Sequence, residues 1–262
     1  MRKLIPTKYR TLAALACGFL VGAGALSAQQ VKSQKEAQAI QAVQAAQTPD
    51  DRIKAIENVL NNFADTNFKN ILLQMAMQTE EQKGDYAQTV FYAQKLLQSD
   101  SKNAFALVTL ASQTAGHTRE FDLDKDQKLA QADKWAKDGI EAAKVMPKPR
   151  PDYPDAQWEM ARKDLQAQGY EALGMAAALQ KKYDDAAGDF KQSLALSSTP
   201  DGASYVRLGQ AYEDAGKLDD AADAFNKAAT APNVSAQVKS IAESKKQEIA
   251  KRKGGAPAAP QP

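Results

Sequence analysis

The sequence predicts an all-α chain of stacked helix pairs. Two observations carry that expectation: a stretch that repeats itself at a fixed interval, and the near absence of alternating β-branched residues anywhere in the 262. Tyr170, Leu173, Gly174, Ala186 and Phe190 recur 35 residues later as Tyr205, Leu208, Gly209, Ala221 and Phe225. Five identities at one common offset define a unit, and an interval of that length is the mark of a repeat array. The later unit is the fuller copy, because it has Tyr212 where the earlier one has Ala177.

Each unit reads as two antiparallel helices. In the later unit the first runs roughly from Asp201 to Asp214 and the second from Leu218 to Ala229. Gly209 and Ala221 are small enough for the two backbones to approach. Tyr205, Leu208 and Tyr212 lie on one helical face, with Phe225 and Ala228 on the face opposing it. Gly216 stands where the first helix must end and the chain reverse, the position a left-handed cap requires. Asp219 and Asp220 suit the positive end of the helix that follows. The earlier unit repeats the logic, with Asp184 and Asp185 before Ala186, and Phe190 and Leu194 on the buried stripe.

An aromatic, Leu three residues on, then Gly, then Ala, then Phe four residues further is a pattern that resembles the tetratricopeptide repeat (TPR). The resemblance covers 167–233 through the motif residues, and 50–146 through helix pattern alone. It implies a right-handed solenoid with the first helices on its concave side and a surface for other proteins rather than a catalytic centre. Aligned on the motif, the inward positions are Gln74, Gln78, Phe105, Val108, Ser112, Gln168, Glu171, Met175, Val206, Arg207 and Gln210. In the family's best-understood peptide-binding branch, paired Lys and Asn residues clamp a C-terminal carboxylate. That pattern is missing here, and Arg207 alone falls on a clamp-like position. The groove is a mixture of amide and apolar side chains, suited to an extended or helical protein segment.

The rest of the chain divides around these units. Residues 29–48 read as a Gln/Ala/Lys-rich helical spacer. Thr48-Pro49-Asp50-Asp51 is a helix start, with Pro in the first turn and acids behind it. The stripe Ile53, Ile56, Val59, Leu60 and Phe63 follows, so that 31–66 reads as a degenerate first unit. A weak unit spans 67–103, with its turn at Gly84. Another begins at Ala104, with a second helix from about Lys128 to Val145 and a long connection over 116–126. Together 49–146 form degenerate repeats. Four prolines within 147–154 exclude helix and favour an extended loop. A long helix from Asp155 leads into the clear units, and 155–253 closes with a Lys/Glu-rich capping helix over 234–253. The tail, 254–262, has the composition of a disordered segment.

The first 28 residues hold no acid and four bases, Arg2, Lys3, Lys8 and Arg10, ahead of an apolar run from Thr11 to Leu26. This is the layout of an export signal, with cleavage after Ala28. Retention as a membrane anchor and lipidation at Cys17 are the other two fates open to it. The expected location is therefore the periplasm or the exterior, with a membrane-anchored form second. The formal charge of +2 resides in this segment, because residues 29–262 hold 30 basic against 32 acidic residues. A nearly neutral chain with no basic stripe argues against nucleic acid as a partner. A chain cleaved after Ala28 would have no cysteine, since Cys17 is the only one, and so neither disulfide nor thiolate chemistry.

Little in the sequence points to catalysis. His117 is the only histidine and reads as a solvated loop residue. There is no phosphate-binding glycine loop, nucleophile elbow or zinc-protease motif. Asp122, Asp124 and Asp126 alternate as in a calcium loop, but Gln127 stands where that loop needs Gly, and Lys125 and Lys128 put cations among the acids. The expectation is a non-enzymatic scaffold without metal or cofactor, binding a protein or peptide in the bacterial cell envelope. A membrane-tethered subunit anchored by residues 11–28 is the alternative, and a hydrolase using the acidic cluster is the remote one. Trp158, Tyr153 and the proline loop form a second candidate surface, although Trp158 is expected to pack on the helix that carries Trp135.

Overall fold

The computed structural model describes residues 31–254. The expected export signal over 1–28, the lipidation expected as one fate of Cys17 and the tail beyond Gly254 therefore lie outside the described residues. Eleven helices and no strand make up the described chain. They pair in order as α1 (Gln34–Ala45) with α2 (Pro49–Asn62), α3 (Lys69–Lys83) with α4 (Tyr86–Ser99), α5 (Ala104–His117) with α6 (Lys125–Val145), α7 (Asp155–Leu179) with α8 (Tyr183–Leu196), and α9 (Gly202–Asp214) with α10 (Leu218–Thr230). The last helix, α11 (Ala236–Gly254), packs on α10 and α9 and closes the array.

Local chemistry sets the helix boundaries. Thr48 accepts the N–H of Asp51 at 3.1 Å ahead of Pro49, and Asn103 and Asp201 cap α5 and α9 in the same manner at 3.1 and 2.7 Å. These side chains satisfy donors that a helix N-terminus leaves open. Gly84 and Gly216, with φ of +75° and +77°, turn the chain between α3 and α4 and between α9 and α10. The corresponding turn between α7 and α8 places Lys181, a residue with a side chain, at φ +62°. The expected boundaries shift by two or three residues: α6 begins at Lys125, the connection before it is 118–124, and α11 begins at Ala236.

Close packing inside the units follows the motif. A Cβ on Gly174 would lie 2.7 Å from the Phe190 ring, and one on Gly209 would lie 2.8 Å from Phe225. Each glycine of a first helix thus forms the seat for the phenylalanine of its second helix. The α5/α6 unit reverses the arrangement. There the small residue, Gly139, is on the second helix and meets Val108 of the first, with a Cβ contact of 2.7 Å.

Buried apolar side chains form clusters along the array, linked by partly buried side chains such as Phe105, Trp135, Met175 and Tyr212. Ile56, Leu72, Leu73, Met77 and Leu96 fill the N-terminal part, while Ala221, Phe225, Ala228, Val238 and Ile249 fill the C-terminal part. First helices touch first helices of the following unit, α5 on α7 and α9 on α11, and so form the inner layer of the solenoid. Along the edge that carries the turns within units, ion pairs step from one unit to the next. Lys181 meets Glu120 at 3.4 Å, Lys217 meets Asp184 at 2.9 Å, and Lys253 meets Asp219.

Candidate functional site: the inner helical face

The inner face is built from α3, α5, α7 and α9. Of the inward positions, Gln74, Gln78, Phe105, Gln168, Met175, Arg207 and Gln210 are half-buried, while Val108, Ser112, Glu171 and Val206 are buried. The last four are therefore withdrawn from the surface, and Val108 turns away from the inner face to pack on Gly139 of α6. Arg207 Nη1 donates to Glu171 Oε1 at 2.6 Å, joining α9 to α7 across the face. Both side chains are largely shielded, so the pair is a strong one, and the one clamp-like cation of the groove is committed to a neighbour within the chain.

The same device recurs on either side. Gln113 of α5 donates to Glu81 of α3 at 3.0 Å. The carboxylate of Glu213, 4% exposed, takes Lys245 and Arg252 of α11, both at 2.9 Å. Each of these bridges joins consecutive first helices, or the last one to the cap. What the face still offers between them is uncharged: the amides of Gln74, Gln78, Gln168 and Gln210, and the apolar Phe105 and Met175. Gln210 Nε2 is buried without a hydrogen-bond partner among the described residues.

Elsewhere the structure disposes of side chains that the sequence had left open. Asp122 accepts the backbone N–H of Arg119 at 3.1 Å, and Lys128 bridges Asp122 and Asp124 at 3.2 and 2.9 Å. That N–H bond and Lys128 hold the Asp122 carboxyl below the ordinary range. The trio is a helix start pinned by a lysine, and among the described residues no set of three or more metal-ligand side chains converges. His117 ends α5, where Tyr86 stacks on its ring at 4.1 Å and its Nδ1 lies 2.9 Å from the Gln113 carbonyl. No described helix is long and apolar enough to cross a membrane.

The proline loop folds back rather than presenting its aromatics. Tyr153 is 5% exposed and meets Trp158 edge to face, with ring centroids 5.9 Å apart. Trp158 Nε1 donates to the carbonyl of Met146, just past the end of α6, the helix that carries Trp135. On the second helices, burial raises the Asp189 carboxyl to about 6, helped by the nearby charges of Asp185 and Asp133 and opposed by Lys137. Sequence reasoning had not singled out Asp189. The connection before α6 leaves Phe121 and Leu123 almost fully exposed.

This architecture, helix pairs in series with a glycine seat under each phenylalanine of the clear units, is that of a repeat scaffold. Residues 202–233 match the family model of the tetratricopeptide repeat. A search of curated proteins finds no match. Among the solved structures similar to it are two of comparable extent. A thermophilic TPR protein of Thermus thermophilus has a TM-score of 0.53 and 18% identity, over 80% of this chain and 95% of that one. The MamA protein has a TM-score of 0.51 and 18% identity, over 87% of this chain and 98% of that one. Residues 202–233 thus form one tetratricopeptide repeat, and the fold of the described chain is a helical-repeat solenoid similar to those two structures.

Proposed function

We propose that this protein is a non-enzymatic adaptor of the bacterial cell envelope that holds a protein or peptide segment on its inner face. The observation that carries the reading is the state of that face. Its charged groups Arg207, Glu171 and Glu213 are matched within the chain, while its amides and apolar groups remain half-exposed. A surface of this kind selects an uncharged extended or helical segment through amide hydrogen bonds and apolar contact, and not a terminal carboxylate. The envelope assignment rests on the basic, acid-free N-terminal segment with its apolar run. A retained segment would make the protein a membrane-tethered member of the same class.

The test is capture from the native envelope by the C-terminally tagged chain after mild crosslinking, in parallel with the variant Phe105→Glu/Met175→Glu. The expected result is a partner that binds the wild type, is lost with the variant, and rebinds when both are purified. A partner retained by the variant would refute use of the inner face. N-terminal sequencing of the mature protein separates the two locations, because a start at Gln29 excludes the tether.

A further inference from the structure

The connection between α5 and α6 turns its acids inward and its apolar side chains outward, the reverse of the usual partition. Thr118 is buried, and its hydroxyl donates to the Thr114 carbonyl at 2.7 Å. The N–H of Asp122 donates to the Arg119 carbonyl at 3.2 Å, and that of Lys125 to the Asp122 carbonyl at 3.1 Å. Within these two successive turns the carboxylates of Asp122 and Asp124 fold back onto Lys128. Alternation along the chain then sends Phe121 and Leu123 outward, where they are 91% and 107% exposed.

Size and charge together define what such a tip fits. An aromatic ring brings about 150–250 Å², and with one leucine beside it the tip stays well below the about 800 Å² per partner of a standard protein interface. A bilayer needs no shaped pocket and takes Phe and Leu side chains at the boundary of headgroups and acyl chains. The acids of the loop are answered within the chain, Glu120 by Lys181 at 3.4 Å, Asp122 and Asp124 by Lys128. Contact with Lys181 brings the turn between α7 and α8 alongside, and with it Lys182. Arg119 and Lys182 are exposed and make no ion pair among the described residues. Asp126 makes none either, so the excess of positive charge is small. Lysine is depleted in protein interfaces and is attracted to an anionic leaflet.

We propose that Phe121 and Leu123 insert into the surface of an anionic lipid bilayer, with Arg119 and Lys182 against its headgroups. The turn edge of the solenoid then rests on a membrane. This contact is separate from the inner face and does not depend on the adaptor reading. Each Lys or Arg close to an anionic surface strengthens binding about fivefold, and Asp126 opposes the pair, so anionic vesicles should be preferred to neutral ones about five- to twentyfold.

The experiment floats residues 29–262, which contain every described helix, with vesicles of phosphatidylcholine alone or mixed with phosphatidylglycerol. The expected result is binding to the mixed vesicles that exceeds the neutral ones by that factor and weakens as salt is added. Phe121→Ser/Leu123→Ser should lower binding at least about tenfold and leave the melting temperature unchanged, because both side chains lie outside the core. Arg119→Gln/Lys182→Gln should reduce the preference for phosphatidylglycerol and leave binding to neutral vesicles as it was. A wild type that floats with neither vesicle overturns the proposal, as does a serine variant that floats as well as wild type. Loss of flotation in Phe105→Glu/Met175→Glu would also overturn it, by moving the membrane contact to the inner face. So would a photoreactive group at position 123 that crosslinks to a protein and not to lipid in the native envelope, since the tip would then be a protein anchor.

Discussion

Gly209→Ala adds one methyl group, and the structure gives that group nowhere to go. Its Cβ would lie 2.8–2.9 Å from three carbons of the Phe225 ring, against a normal carbon contact of about 3.5–4.0 Å. The ring must retreat by more than half an ångström, yet Phe225 is fully buried and flanked by the buried Ala221 and Ala228. Overpacking of this kind costs about 1–3 kcal/mol, and the absence of room puts this site in the upper part of that range. Replacing a mid-helix glycine by alanine returns about 1 kcal/mol through helix propensity, leaving a net loss of about 2 kcal/mol. Gly188→Ala is the matched control, since Gly188 is exposed in α8 and a Cβ there meets nothing within 4 Å. That variant keeps only the propensity gain and is more stable by about 1 kcal/mol. Thermal and urea unfolding followed by far-ultraviolet circular dichroism should place the variants on opposite sides of the wild type. At about 2–4 °C per kcal/mol for a chain of this size, Gly209→Ala melts about 4–8 °C lower. In the double variant with Phe225→Leu, the two losses are expected to be less than additive. A Gly209→Ala protein as stable as wild type would refute the seat argument, as would a Gly188→Ala protein destabilised to the same degree.

The other predictions concern the turns and the charges. Lys181→Gly relieves a left-handed residue that carries a side chain and should stabilise by about 0.5–1 kcal/mol, visible as a higher urea midpoint with an unchanged m-value. Asp189 binds its proton more tightly in the folded than in the unfolded chain, because its carboxyl is raised from 3.8 to about 6. Its stabilising protonated form is therefore complete below about pH 4 and lost as pH rises through about 6. Asp189→Asn should flatten that part of the stability–pH profile, and an unchanged profile would contradict the assignment. Glu213→Gln deprives the partly exposed Lys245 and Arg252 of their shared carboxylate, so α11 should loosen at a cost of about 2 kcal/mol. Hydrogen exchange would show that loosening as faster exchange confined to α11 and the end of α9.

The units legible from sequence were those in which a single residue type answers a steric demand. Gly174 and Gly209 had to be glycine because a ring lies against them, so the motif survives intact there. The α5/α6 unit solves the same demand with the small residue moved across to Gly139 and with Val108 as the knob. Its signature is faint for that reason, although its helix pair is regular. The polar bridges of the inner face were not legible. Arg207 and Glu171 are 36 residues apart, and Arg252 and Glu213 are 39 apart. No local pattern connects them, and pairing them needs the stacking of whole units. Tyr153 misleads for a related reason: a proline-rich stretch reads as exposed, and only the return of the loop onto Trp158 buries the ring.

The ion pairs along the turn edge make one unit interchangeable with the next. The acids taken by Lys217 and Lys253 are Asp184 and Asp219, the same place in successive 35-residue units, and each cation comes from the element that follows. Singly, such exposed pairs contribute at most about 1 kcal/mol. Their value lies in compatibility, because a unit presents a donor to the unit before it and an acceptor to the element after it. A further copy of 167–201 spliced between α8 and α9 would meet charges of the right sign at both seams and seat its phenylalanine on its own glycine. Growth by duplication is thus written into the joints of this solenoid, and its length is a quantity that one recombination event can change without disturbing either end.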